Sequence, residues 1–263
     1  MGQKYNYPGP AEVHQKIELI SPEGIRLDGR KADEMRPITT KVGVLKKCDG
    51  SGYFAFGKTR AVAGVYFPKA VYPRFKERQD RAITKTIYSM APFSTTTRIN
   101  PGTSRRATEI SLVIKEALES VIILEEYPKT MIEIYIEVLQ ADASTRCASL
   151  NAAVLALADA GIPMKDLVSC CSVGKIDGKF VVEIGGKEDE DGEVDLTVAY
   201  YPRKKQMVLL QMDGIMAKDE LKSAVKIAIE NCEKINEIQK KALRDRYLNM
   251  ESDLPGLAKG DNQ

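Results

Sequence analysis

The chain of 263 residues has one histidine, His14, and it sits in a polar N-terminal stretch before the first strong structural pattern. A lone imidazole leaves no Ser-His-Asp triad, no Cys-His pair and no histidine-built zinc site. Any catalysis must rest on carboxylates, cations and backbone groups. Cysteine is nearly as uninformative: the five are an odd number, Cys170 and Cys171 are adjacent, and no C-x-x-C pair exists. Neither a disulfide framework nor a cysteine zinc site is supported, and the thiols are expected to be reduced and mostly buried. No stretch approaches the roughly 20 apolar residues that cross a bilayer, and the opening MGQKYNYPGP lacks the apolar centre of a signal peptide. A cytoplasmic protein without a membrane partner is expected.

A hydrophobic content of 43% is ample for a packed core. The net charge of +2 points to no partner, but its distribution is uneven. Residues 58–81 carry seven Lys/Arg against two acids, whereas KEDEDGEVD at 187–195 holds six acids and one lysine.

Strand-length apolar runs in KVGVLKKCDGSGYFAFGKTRAVAGVYFP, with turns at Asp49-Gly50 and at Gly57, predict a β-meander. Helical spacing of Ile110, Val113, Ile114, Ala117, Leu118 and Val121 predicts a helix over 107–128, closed by Pro128. MIEIYIEVL (131–139) alternates as a half-buried strand. STRCASLNAAVLALADAGIP begins with hydroxyl residues fit to cap a helix and ends at Gly161. From Leu167 the order repeats: four strands, with the acidic stretch as a loop between them, then one long helix from about Ala217 to Tyr247. The fold class is therefore α+β, two sheet-plus-helix halves that share an order without a residue-level repeat. The divisions are an N-terminal extension (1–23), a first half (24–163), a second half (164–250) and a polar tail (251–263).

GYFAFGKT (52–59) matches the phosphate-loop pattern G-x-x-x-x-G-K-T letter for letter. Such a loop needs a flexible turn between strand and helix. Here the variable positions are bulky and alternating and another strand follows, so a β-hairpin is expected. The S-x-x-K string at Ser172–Lys175 lies inside a predicted strand and is a chance match.

Two other segments carry chemistry. In NPGTSRRATEI and LQADASTRCAS, arginine sits beside small or hydroxyl residues where a helix is predicted to begin. Helix-start N–H groups, hydroxyls and guanidinium forks together suit a phosphate dianion, which makes Arg105, Arg106, Ser144, Thr145 and Arg146 candidates for one pocket. The alternative is a plain helix cap flanked by surface arginines. Asp189 and Asp195 could hold a divalent cation or deliver a proton, with Asp191 a competitor for either role and a merely solvated loop the bland alternative.

Read together, GIRLDGRKADEMRP, DGSGYFAFGKT, YSMAPFST, SRRATEI, LQADASTR, ALADAGIPM and DEDGEVD resemble the RNase PH family, in the family's order and over roughly residues 24–250. Within that family, GIRLDGRK, PKAVYPRFK and the SRR pair are most similar to the catalytic RNase PH-like subunits of archaeal exosomes. The resemblance implies the RNase PH-like (ribosomal protein S5 domain 2-like) fold and 3′-to-5′ phosphorolysis of RNA, reversible to tailing. It assigns Ser144, Thr145 and Arg146 to inorganic phosphate and Arg105 and Arg106 to the RNA backbone. Asp189 and Asp195 become the catalytic and metal-binding pair, with Mg2+ or Mn2+. Lys69, Arg74 and Lys76 would lie on a loop narrowing the RNA entrance. The implied partners are single-stranded RNA, a homologous non-catalytic RNase PH-like subunit alternating in a hexameric ring, and RNA-binding cap subunits. A tRNA-trimming homomeric RNase PH and a non-catalytic RNA-binding scaffold are the alternatives the family offers. Where the family often has two glycines after the Asp of LQAD, this chain has Ala143 and Ser144.

Overall fold

The computed structural model describes residues 19–21 and 23–252. His14, most of the N-terminal extension and all but the first two residues of the tail lie outside them. The first sheet is built from β1 (Ile38–Val42), β2 (Gly50–Phe56), β3 (Thr59–Ala70), β4 (Ile83–Met90) and β5 (Thr130–Gln140), in the order β1-β2-β3-β5-β4. Its pairs are antiparallel except β4 with β5, which run parallel and are connected through helix α1 (Arg105–Glu119). The second sheet, wholly antiparallel, has β6 (Ser169–Ile176), β7 (Lys179–Val182), β8 (Val194–Tyr201) and β9 (Gln206–Gly214) in the order β7-β6-β8-β9. Helices α2 (Thr145–Asp159), α3 (Gly186–Asp191) and α4 (Lys218–Ser252) complete the α+β fold of two sheet-plus-helix halves. No helix among the described residues is long and apolar enough to cross a membrane.

Period-two alternation builds β5: Ile132, Ile134, Ile136 and Val138 are all fully buried, while Glu133, Tyr135 and Glu137 face the other side. Helix α2 is buried on almost every face because it lies between the sheets, against β2 and β3 on one side and β6 on the other. Small residues permit that approach. A Cβ on Gly52 would stand 2.4 Å from the Ala152 carbonyl oxygen, and one on Gly50 would meet the backbone nitrogen of Ala160 at 2.2 Å. The phosphate-loop lookalike is a hairpin as expected, with Phe56 opposite Thr59 and Gly57 at φ +51° in the turn. The S-x-x-K string lies within β6. All five cysteines are free and four are buried, and burial pushes the thiols of Cys170, Cys171 and Cys232 upward.

Three local expectations are corrected. The helix predicted over 107–128 stops at Glu119, because the β-branched run Val121–Ile123 turns away to pair with residues 163–165: Ile122 bridges Met164, and the Ile123 N–H donates to the Pro163 carbonyl at 3.0 Å. The acidic stretch is not a loop throughout but begins as the single-turn helix α3. Ser144 occupies the N-cap position of α2 without capping it through its side chain.

Candidate functional site

A polar cavity of about 420 Å3 opens where the N-terminal ends of α1 and α2 meet the β8–β9 ladder. The first half of the chain supplies Arg106, Glu109, Ser144, Thr145 and Arg146, and the second supplies Asp189, Asp195, Thr197, Gln211 and Asp213. A larger groove of about 780 Å3 lies on the outer face of the first sheet; its exposed surface is mainly apolar, and its charged residues, Lys46, Lys47, Lys69, Glu133 and Glu137, include no arginine and stand at no helix N-terminus.

The cationic wall grows from two helix starts. Ser104 caps α1, its hydroxyl accepting the Ala107 N–H at 3.0 Å, and this sets Arg106 in the first turn of the helix and at the cavity. Arg146, in the first turn of α2, has a side chain only 18% exposed; Glu109 approaches its guanidinium at 3.6 Å and is itself held by Gln211 at 2.8 Å. The Nε of Arg146 is buried with no partner. A buried cationic donor without an acceptor costs stability unless a ligand supplies one. The first-turn N–H groups of α2 add further donors, since no preceding turn accepts from them.

Ala143 and Ser144 both adopt left-handed backbone, at φ +57° and +51°. That explains physically why glycines suit these two positions: each non-glycine residue there is strained by about 1–2 kcal/mol. The loop is over-determined by its surroundings. The Thr59 hydroxyl bonds the carbonyls of Asp142 and Ala143, each at 2.8 Å. The Ser144 hydroxyl lies 2.8 Å from that of Ser172 and donates to the Ile184 carbonyl at 3.1 Å. Its one proton is directed at the seam between the halves, so Ser144 reaches the cavity chiefly through its backbone.

The acidic wall comprises Asp189 on α3, Asp195 on β8 and Asp213 on β9, the last two directly opposite in the ladder. Burial raises the Asp195 carboxyl to about 6, repulsion from Asp189 and Asp213 adds to this, and Arg146 and Arg106 offset only part of it. Asp189 is raised too, by partial desolvation and by Glu190 and Asp213, against the pull of Arg106 and Arg146. The Asp195 Oδ1 is buried without a hydrogen-bond partner. Two mutually repelling carboxylates, one with an orphaned oxygen, suit a hard divalent cation. No group of three or more metal-ligating side chains that could hold an ion occurs among the described residues. Asp189 and Asp195 are thus the two carboxylates here that could hold such an ion, and on their own they would supply only part of its ligands.

The cavity thus gathers Arg106, Ser144, Thr145, Arg146, Asp189 and Asp195 from segments far apart in sequence, but not every candidate joins it. Arg105 is exposed and absent from the lining. Lys69, next to last in β3, has its ammonium 5.3 Å from the Tyr66 ring and borders the outer groove. Arg74 and Lys76 sit on a short 3-10 turn beside Tyr72 and Phe75, each 84% exposed. Sequence reading missed Glu109, Thr197, Gln211 and Asp213. A usable signal existed for the last three: Asp195 and Thr197 share one strand face, as do Gln211 and Asp213, and antiparallel pairing sets Asp195 against Asp213 and Thr197 against Gln211.

Comparison with known proteins places the chain in a family. Residues 34–163 match domain 1 of the 3′ exoribonuclease family and residues 166–231 match its domain 2. The chain is 50% identical over 240 residues to the exosome complex component Rrp41 of Pyrococcus furiosus, covering 91% of this chain and 96% of that one. It is 51% identical over 229 residues to the Rrp41 of Methanopyrus kandleri, covering 87% and 96%. Among solved structures, rice (Oryza sativa) Rrp46 superposes with a TM-score of 0.76 at 22% identity, over 83% of this chain and all of that one. A chain of the Archaeoglobus fulgidus exosome with RNA bound to the active site gives 0.71 at 22% identity, over 82% and 92%. These last two speak to the fold. With both domain models matched in order and half of all aligned residues shared with exosome components, the chain belongs to the RNase PH family of 3′ exoribonucleases.

Proposed function

We propose that this chain is the catalytic subunit of an exosome-like ring, a phosphate-dependent 3′-to-5′ exoribonuclease that releases nucleoside diphosphates from RNA. One observation carries the reading: a single cavity places Arg106, Arg146 and the first turn of α2 opposite Asp189 and Asp195, with no histidine among the described residues. Identity of about 50% to proteins named as exosome components supports it.

Inorganic phosphate sits against Thr145, Arg146 and the α2 N–H groups, while Arg106, with Arg105 outside it, grips the RNA backbone. A phosphate oxygen attacks the terminal phosphorus of the RNA and the P–O3′ bond breaks. The freed 3′ oxygen takes a proton from the acidic wall, where the raised Asp189 is the donor, and the attacking hydrogen phosphate returns a proton to that carboxylate. Arginines around the phosphorus stabilise the charge that develops there, the main catalytic contribution in such transfers. With both carboxylates ionised, Asp189 and Asp195 would instead hold Mg2+ or Mn2+, which would supply charge neutralisation and acidify water for the same protonation. One phosphoanhydride replaces one phosphodiester, so the reaction is nearly balanced and excess nucleoside diphosphate extends RNA tails. Partners are single-stranded RNA, a homologous RNase PH-like sister subunit alternating in a hexameric ring, and RNA-binding caps.

The test is diphosphate release from RNA with and without added phosphate, for the chain alone and mixed with the sister subunit. The reading requires phosphate-dependent release that needs the sister. Release by the chain alone supports a homomeric enzyme, and RNA binding without release marks a scaffold. Asp189→Ala should cut release by about 10²- to 10³-fold or more while leaving assembly intact. Normal turnover in that variant removes Asp189 from the mechanism.

A further inference from the structure

The lead-in GIRLDGRKADEMRP precedes β1, yet it packs on the second half of the molecule. Just before the lead-in, Leu19 and Ile20 join Ile176, Val181 and Ile184 in one apolar cluster, and three arginines of the segment itself, Arg26, Arg30 and Arg36, are buried. Arg26, whose side chain is fully buried, forms a bidentate pair with Glu188, one contact being Nε to Oε1 at 2.7 Å. The same guanidinium donates to the carbonyls of Val182 at 2.6 Å and Glu183 at 2.9 Å. Glu188 in turn accepts the Gly185 N–H at 2.7 Å, which fixes the start of α3, and the next residue is Asp189. A six-residue helix has too little internal bonding to hold its own orientation. Arg26 supplies what is missing.

Arg36 works on the other wall. It pairs with the fully buried Glu183 and donates to the Asp142 carbonyl at 2.6 Å and the Ile184 carbonyl at 3.1 Å. That Ile184 carbonyl also receives the Ser144 hydroxyl. One guanidinium thus ties the left-handed loop 142–144, which opens α2, to the residues leading into α3.

We propose that Arg26 and Arg36 are positioning residues for the phosphorolytic site, Arg26 aiming Asp189 through Glu188 and Arg36 setting the phosphate-side loop through Asp142 and Ile184. The proposal rests on the function stated above. Neither arginine lines the cavity, so each acts through another residue. A planar fork is required at both places, because each binds a carboxylate and backbone carbonyls at once, and lysine reproduces the charge without that geometry.

Single-turnover phosphorolysis by the full chain, assembled with its sister subunit, separates the two roles. Arg26→Lys should slow the chemical step about 10-fold with the phosphate KM within about twofold of wild type, since small displacements of a reacting group carry penalties of this order. In an Asp189→Asn background, assayed with enzyme in excess, the same substitution should cost almost nothing, because the residue it aims is already disabled. Arg36→Lys should instead raise the phosphate KM about 10-fold. A purely structural role predicts lost active fraction, which multiplies equally in both backgrounds and leaves KM unchanged; that pattern overturns the proposal. If Arg26→Lys does not fold, Glu188→Gln, which keeps the shape and removes the charge, runs the same cycle with the same two outcomes. A wild-type chain that releases no diphosphate defeats the functional reading itself, whereas an active wild type with additive losses defeats only the positioning.

Discussion

At the scale of single residues, the site is where this protein gives up stability. Asp195 is buried, faces Asp189 and Asp213, and keeps an orphaned oxygen. Its carboxyl titrates at about 6 in the folded chain against an ordinary 3.8. Between those values the folded state holds a proton that the unfolded state has released, so the contribution to stability is complete below about pH 4 and lost as pH rises through 6. The full span is worth at most about 3 kcal/mol. Asp189, also raised, adds in the same direction. In EDTA the wild-type melting temperature should therefore fall between pH 5 and 7.5. Asp195→Asn should remove most of that fall and melt several degrees higher at pH 7.5, with phosphorolysis lost. Every other titratable group is present in both proteins, so the difference between them isolates Asp195. Parallel pH curves for the two would refute this account.

At the scale of elements, what could be read from sequence was what local chemistry determines. Ile132 to Val138 alternate and became β5; Ile110, Ile114, Ala117 and Leu118 recur at helical spacing and became the buried face of α1. Where the reading failed, a distant partner decided the outcome. Val121 to Leu124 continue the helical spacing, but the edge offered by residues 163–165 drew them out of it. The acidic stretch reads as solvated until Arg26, 162 residues earlier, claims Glu188. Two of the three carboxylates of the acidic wall were visible as the spacing of Asp189 and Asp195, whereas Asp213, like its neighbour Gln211, required the register of β8 on β9. The close packing of α2 on β2 was foreshadowed by its alanines and is sharply testable. In Gly52→Ala the new methyl meets the Ala152 carbonyl, a backbone atom that cannot swing aside. Overpacking of this kind costs about 1–3 kcal/mol or more, so the denaturation midpoint should drop with the slope unchanged. A variant as stable as wild type would mean that α2 slides freely over β2.

At the scale of the whole molecule, the cations fall into two separate sets with different work. Arg106 and Arg146 border the cavity and face the acidic wall, so in the proposed reaction they engage the last linkage of the RNA. Lys69, Arg74 and Lys76 lie elsewhere, the latter two on an exposed turn flanked by Tyr72 and Phe75. Exposed cations interleaved with exposed aromatics suit single-stranded RNA of any sequence, through phosphate contact and base stacking. The two sets should therefore separate by RNA length. Arg74→Gln with Lys76→Gln, measured in the assembled ring, should leave the turnover of RNA only a few nucleotides long unchanged and weaken binding of long RNA. The plot of log affinity against log salt should become shallower by about 1.4 for the long RNA, near 0.7 for each phosphate contact removed. An equal loss on short and long RNA would place these side chains at the reacting end instead, and no loss on either would remove the turn from the RNA path.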